Sequence, residues 1–152
     1  MLRQFLVGAV ASLSGIAIHA VVMVAVIKVT RIADNLATSH QTLRLIAVMM
    51  ATVTVLMTAH LSEVLVWSSI YALVNAAATG TDLIYFAFVN YTTLGYGDIT
   101  PVAGWRLTGP MTAMNGILMF GWSTAVLFEV LRKTVEHLAA IAASKSSSGD
   151  RG

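Results

Sequence analysis

Three long stretches of the chain carry almost no charge, and short polar passages separate them. Residues 5–27 form a run of 23 without Lys, Arg, Asp or Glu. As a helix rising about 1.5 Å per residue, such a run reaches roughly 35 Å, enough for a hydrocarbon core of about 30 Å. Arg3 ahead of it gives the look of a signal peptide. The run is long for one, and Lys28 and Arg31 follow without an Ala-x-Ala cleavage site. It is read as a retained membrane helix. A second apolar region covers residues 45–78, with Glu63 its only acidic residue. A third, residues 107–128, holds 22 uncharged residues and ends at Glu129, Arg132 and Lys133. Each is long enough to cross a bilayer.

Between the second and third regions lies DLIYFAFVNYT, 11 residues that are too short to span as a helix. Ala76 to Gly80 reads as the turn into it, with Thr81 as its cap. It is followed at once by the polar, glycine-punctuated segment YTTLGYGDITP. Backbone without regular structure is tolerated at membrane depth only where protein or a water-filled path satisfies it. The expected fold class is therefore an all-α membrane protein. It has three transmembrane helices plus a re-entrant pore helix and a selectivity-filter loop.

Composition narrows the function. Charged residues make up 11% and hydrophobic residues 57%, against about 25% charged in soluble domains. The net charge of +2 is dispersed, which argues against a nucleic-acid partner. Without cysteine there is no disulfide framework and no thiolate chemistry. No catalytic constellation, nucleotide loop or HExxH segment is present, so no enzyme and no cofactor are expected.

The glycine segment suits cation chemistry. A potassium ion must exchange its water shell for closely stacked carbonyl oxygens. Gly95 and Gly97 permit backbone angles that other residues resist. With them, the carbonyls of Thr93, Leu94, Gly95 and Tyr96 can face one axis, and the Thr93 hydroxyl adds another oxygen layer. One chain supplies too few oxygens, so symmetric copies must complete each ring.

Thr93-Leu94-Gly95-Tyr96-Gly97 resembles the T-x-G-Y-G filter of the potassium-channel pore-domain family. Thr92 matches the threonine that often precedes it, and Asp98 the acidic residue beyond it. HLSEVLVWSSIYALV and NGILMFGWSTAVLFEVL resemble small bacterial potassium-channel-like membrane proteins, here with an additional N-terminal helix. The resemblance implies a homotetramer, passive K+ conduction, K+ held by filter backbone oxygens and the Thr93 hydroxyl, and filter support from Thr92 and Asp98. Leu94 departs from the more usual valine or isoleucine, and Val89 stands where some relatives carry a glutamate. The first helix lacks the repeated arginines of a voltage sensor. The alternatives are a nonselective cation channel or a non-conducting regulatory subunit.

The organisation expected is an extra transmembrane helix over residues 1–28, a cytoplasmic connection over 29–44, a pore domain over 45–133 and a cytoplasmic tail over 134–152. Placing the glycine loop outside puts seven of the nine Lys and Arg residues inside. That implies a multi-pass cell-membrane protein with an outside N-terminus and a cytoplasmic C-terminus. His60 and Glu63, three apart on one helix face, are costly in lipid and are candidate gating or structural sites, and His19 of the first helix could join them. Gly116 and Gly121 are candidate bending or packing sites, and Trp105 a candidate interfacial anchor.

Overall fold

The computed structural model describes residues 1–35 and 41–149, and their regular structure is entirely helical. Helix α1 runs Leu2–Asn35, α2 Gln41–Val74, α3 Leu83–Tyr91 and α4 Thr108–Gly149. A single 3-10 turn, Ala103–Trp105, precedes α4. Among the described residues, three stretches are long and apolar enough to cross a membrane: Leu2–Lys28, Thr42–Val74 and Ala103–Ile141. The protein is an all-α, multi-pass membrane protein. His40, in the expected connection, lies outside the described residues.

Several boundaries differ from the sequence expectation. The first two helices take up most of the polar passage after Lys28, because charged residues at a helix end can sit beyond the hydrocarbon. The second helix stops at Val74 rather than near residue 78. Asn75 adopts a left-handed φ of 52°, and the Ala76 amide donates to the Tyr71 carbonyl at 2.9 Å. This is the hydrogen bonding of a Schellman stop, in which Asn replaces the commoner glycine. The cap of α3 is Asp82, not Thr81: its carboxylate accepts from the Ile84 and Tyr85 amides at 3.1 Å. Residues 134–149, expected as part of a tail, continue α4 as helix.

The core forms where α2, α3 and α4 meet, with α1 laid against α2 and α4. Trp67, Tyr71, Phe86, Tyr91 and Met119 are its large buried members. Polar anchors fix the register: Trp67 Nε1 donates to Asn115 Oδ1 at 3.0 Å, and Tyr71 and Thr112 share a hydroxyl contact. The outer surfaces are apolar, including Val10, Leu13, Val21, Met57 and Ile117. That is the inversion expected where lipid is the solvent. Trp105 is not a surface anchor. It is buried, and the Arg3 guanidinium stacks over its ring at 4.3 Å. The neighbouring Gln4 side chain accepts from the Leu107 amide at 2.9 Å. The first helix is thus fastened to the start of α4.

Gly116 sets how close α3 and α4 come. A Cβ placed there would overlap the carbonyl oxygen of Tyr91 and lie 2.9 Å from its carbonyl carbon. Backbone cannot swing aside as a flexible side chain can. Gly121 meets no such neighbour within its own chain. We expect Gly116→Ala to destabilise the fold by about 1–3 kcal/mol, the usual cost of overpacking. Thermal unfolding in detergent checks this, and an unchanged transition would show that the contact does not bear on stability.

Candidate functional site

The loop after α3 is pinned to that helix at both ends. The Thr92 amide donates to Phe88 O at 2.9 Å and the Thr93 amide to Asn90 O at 3.0 Å. The Leu94 and Gly95 amides both donate to Val89 O, at 3.0 and 3.3 Å. At the far end, the Tyr85 hydroxyl donates to Asp98 Oδ2 at 2.7 Å, and Asp98 Oδ1 accepts from the Ile99 amide at 3.1 Å. The carboxylate accepting this bond holds the Tyr85 phenol above its usual range.

Within the loop, Thr93, Gly95 and Gly97 take left-handed φ values of 62°, 60° and 78°. The two intervening residues do not. Gly95 and Gly97 therefore occupy conformations that a Cβ disfavours, while Thr93 bears that cost. Residues 92–98 are exposed on the single chain. The Thr92 hydroxyl turns back to donate to Phe88 O at 2.8 Å. Leu94 and Tyr96 lie on the surface of the isolated chain.

Behind this loop stands a closed polar ring contributed by all four helices. His19 Nδ1 of α1 lies 2.9 Å from Glu63 Oε1 of α2. The hydroxyl of Tyr91, at the end of α3, donates to Glu63 Oε2 and sits 2.9 Å from His60 Nδ1. The Ser123 hydroxyl of α4 closes the circuit, 2.9 Å from His60 Nε2 and 3.2 Å from His19 Nε2. Every member is buried. Rings of Trp122 and Phe120 cover the two imidazoles, at centroid separations of 5.1 and 4.6 Å.

The sequence paired His60 with Glu63, and they do face one another, with His60 Nδ1 3.4 Å from Glu63 Oε2. His19 was a residue that could join them from the first helix, and the structure makes that contact across 44 positions of sequence. The sequence did not reveal that the Tyr91 hydroxyl, one residue before the exposed loop, is a ring member. A histidine within an uncharged membrane span was the available signal for His19.

One comparison with known proteins gives a match. Residues 59–133 match the Ion_trans_2 family, described as "Ion channel". The matched residues are similar to that family over slightly less than half of the chain. They take in the second half of α2, all of α3 with its loop, and α4 as far as Lys133. Helix α1 lies outside the match. Neither the curated proteins nor the solved structures compared with it gave a match.

Replacing Tyr91 with Phe removes one hydroxyl and leaves two buried groups, Glu63 Oε2 and His60 Nδ1, with only each other at 3.4 Å in place of the closer hydroxyl. We expect a loss of about 1–3 kcal/mol in stability, the cost of an unsatisfied buried polar group. Thermal unfolding together with hydrogen exchange at residues 92–95 checks it. Faster exchange in that loop is expected, and unchanged exchange would separate the ring from loop order.

Proposed function

We propose that four copies of this chain assemble around one axis and conduct K+ selectively and passively. The five residues Thr93, Leu94, Gly95, Tyr96 and Gly97 form the filter. In this reading α3 is a re-entrant pore helix, and residues 45–133 form the pore domain. Carbonyl oxygens of the filter and the Thr93 hydroxyl replace the hydration shell of the ion. No other cofactor takes part in conduction.

The observation that carries the proposal is where this sequence sits. Thr-Leu-Gly-Tyr-Gly follows a helix of nine residues between two membrane-length helices, inside the segment that matches an ion-channel family. The left-handed backbone recurs at every second residue, 93, 95 and 97. Alternation of left-handed residues with residues of negative φ suits the stacked-carbonyl arrangement, in which successive peptide planes turn toward one side. Exposure of residues 92–98 on a single chain suits a surface that other copies and ions cover.

The supporting residues follow from the same geometry. Asp98, held by Tyr85, places a negative charge at the mouth of the loop and raises the local cation concentration. Thr92 ties the start of the loop to α3. Gly116 lets the inner helix approach the base of the loop, while Gly121 remains free for close approach of a second copy. Lipid covers the remaining apolar surface. In the cell membrane the loop faces outward, the N-terminus lies outside and the C-terminus inside. The exposed Arg132, Lys133, Glu129 and Glu136 cluster then marks where α4 leaves the membrane on the cytoplasmic side.

The test is current through purified protein in a planar bilayer under a K+/Na+ gradient. The reversal potential is expected near the K+ equilibrium potential. A value showing little preference would leave a nonselective cation channel, and absence of current from an assembled tetramer a regulatory subunit. Gly95→Ala forces a Cβ into a left-handed residue, at about 1–2 kcal/mol per subunit. Its reversal potential is expected to move toward zero, and retention of full selectivity would remove Gly95 from the filter.

A further inference from the structure

The polar ring has a charge problem that hydrogen bonds alone do not solve. It has five links: Glu63–His19, His19–Ser123, Ser123–His60, His60–Tyr91 and Tyr91–Glu63. Two neutral imidazoles, one serine and one tyrosine bring only four protons to share among them. With Glu63 ionised, one link lacks a proton and the buried ring carries a net negative charge. An uncompensated charge in a membrane interior is costly. The deficit is one positive charge, which a fifth proton on the ring would meet, or a metal ion standing in the place of that proton.

The geometry points to a divalent transition-metal ion, of the Zn2+ class, held by His19, His60 and Glu63. One ligand atom from each of these residues lies within 4.8 Å of the other two, and all three residues are buried. The two imidazoles approach from different helices, yet both present Nδ1 to the one carboxylate, at 2.9 and 3.4 Å. Both far nitrogens, Nε2, face the one Ser123 hydroxyl. That oxygen has two lone pairs and can accept from both Nε2–H groups. Each imidazole is then fixed in the tautomer whose Nδ1 lone pair is free for a metal. Orientation of a ligating histidine through its other nitrogen is the usual arrangement at metal sites.

Ligand type selects the ion. Two imidazole nitrogens and a carboxylate favour Zn2+ and its neighbours over Ca2+ or Mg2+, which take oxygen sets. The Tyr91 hydroxyl, touching Glu63 and His60, is the fourth donor. If it binds as the phenolate, its proton passes to solvent. The dication, the carboxylate and the phenolate then sum to zero, which suits a site walled by Trp122 and Phe120. Such an ion would join α1 to the channel-family segment and hold Tyr91 at the base of the loop. The site is independent of which ion the loop conducts.

The experiment uses the purified, metal-free full chain in detergent, titrated with Co2+ as a spectroscopic stand-in for Zn2+. We expect visible absorption of four-coordinate Co2+ saturating at one ion per chain, abolished when Zn2+ displaces it. His19→Gln should eliminate the band. Ser123→Ala, which keeps every ligand, should weaken binding by about 10–100-fold. His137→Gln should leave it unchanged. Should His19→Gln fail to fold, the wild-type spectrum and Ser123→Ala decide. A six-coordinate spectrum, binding below one ion per chain, or binding lost in His137→Gln would each overturn the assignment.

Discussion

Tyr91 joins the two halves of this molecule. Its hydroxyl is bound within the buried ring, and its carbonyl rests against the bare backbone of Gly116. One residue further on, the chain leaves α3 and enters the exposed loop. The position of that loop is therefore fixed by a contact on each side of one residue. The first needs a polar partner in an apolar bundle, and the second needs the absence of a side chain on α4. Remove either, and α3 loses its seat between α2 and α4. Amides of residues 92–95 donate back to α3, so the loop inherits whatever position α3 has.

Helix α1 enters through the same constraint. It lies outside the segment that matches an ion-channel family, yet it supplies His19 to the ring and Arg3 and Gln4 to the start of α4. A helix merely lodged in lipid beside a channel would need none of these. Ionisable groups are expensive in a membrane, and here they converge from separate helices on one point. The first helix is an integral part of the fold, and the ring is where it can influence the loop.

Much of this was legible from the residues. Three apolar runs of the right length and one run too short to span fixed the number and kind of elements, because hydropathy in lipid leaves few other solutions. The glycine-rich segment was recognisable because its spacing demands backbone freedom at alternate positions. Helix ends were less legible. Asn75 stops α2 by adopting a left-handed conformation, and Asp82 caps α3 in place of its neighbour Thr81. Both choices depend on how the turn folds locally, and either neighbour offered plausible chemistry. The ring was legible as the local pair His60 and Glu63, with His19 able to join them but not placed there. His19, Tyr91 and Ser123 come from three other helices, and a single sequence carries no record of which helix faces which. Trp105 looked like an interfacial residue by type but is buried beneath Arg3, a contact made by the chain's own N-terminus.

The central claim is that the backbone of residues 93–97 coordinates K+ once the chains have assembled. The most direct measurement is the carbonyl 13C chemical shift at those residues in lipid bilayers, with K+ exchanged for Na+. Reversible shifts confined to residues 93–97 and saturating with K+ are predicted. Carbonyl resonances that do not respond to K+, in protein shown to be assembled, would contradict ion coordination by this loop.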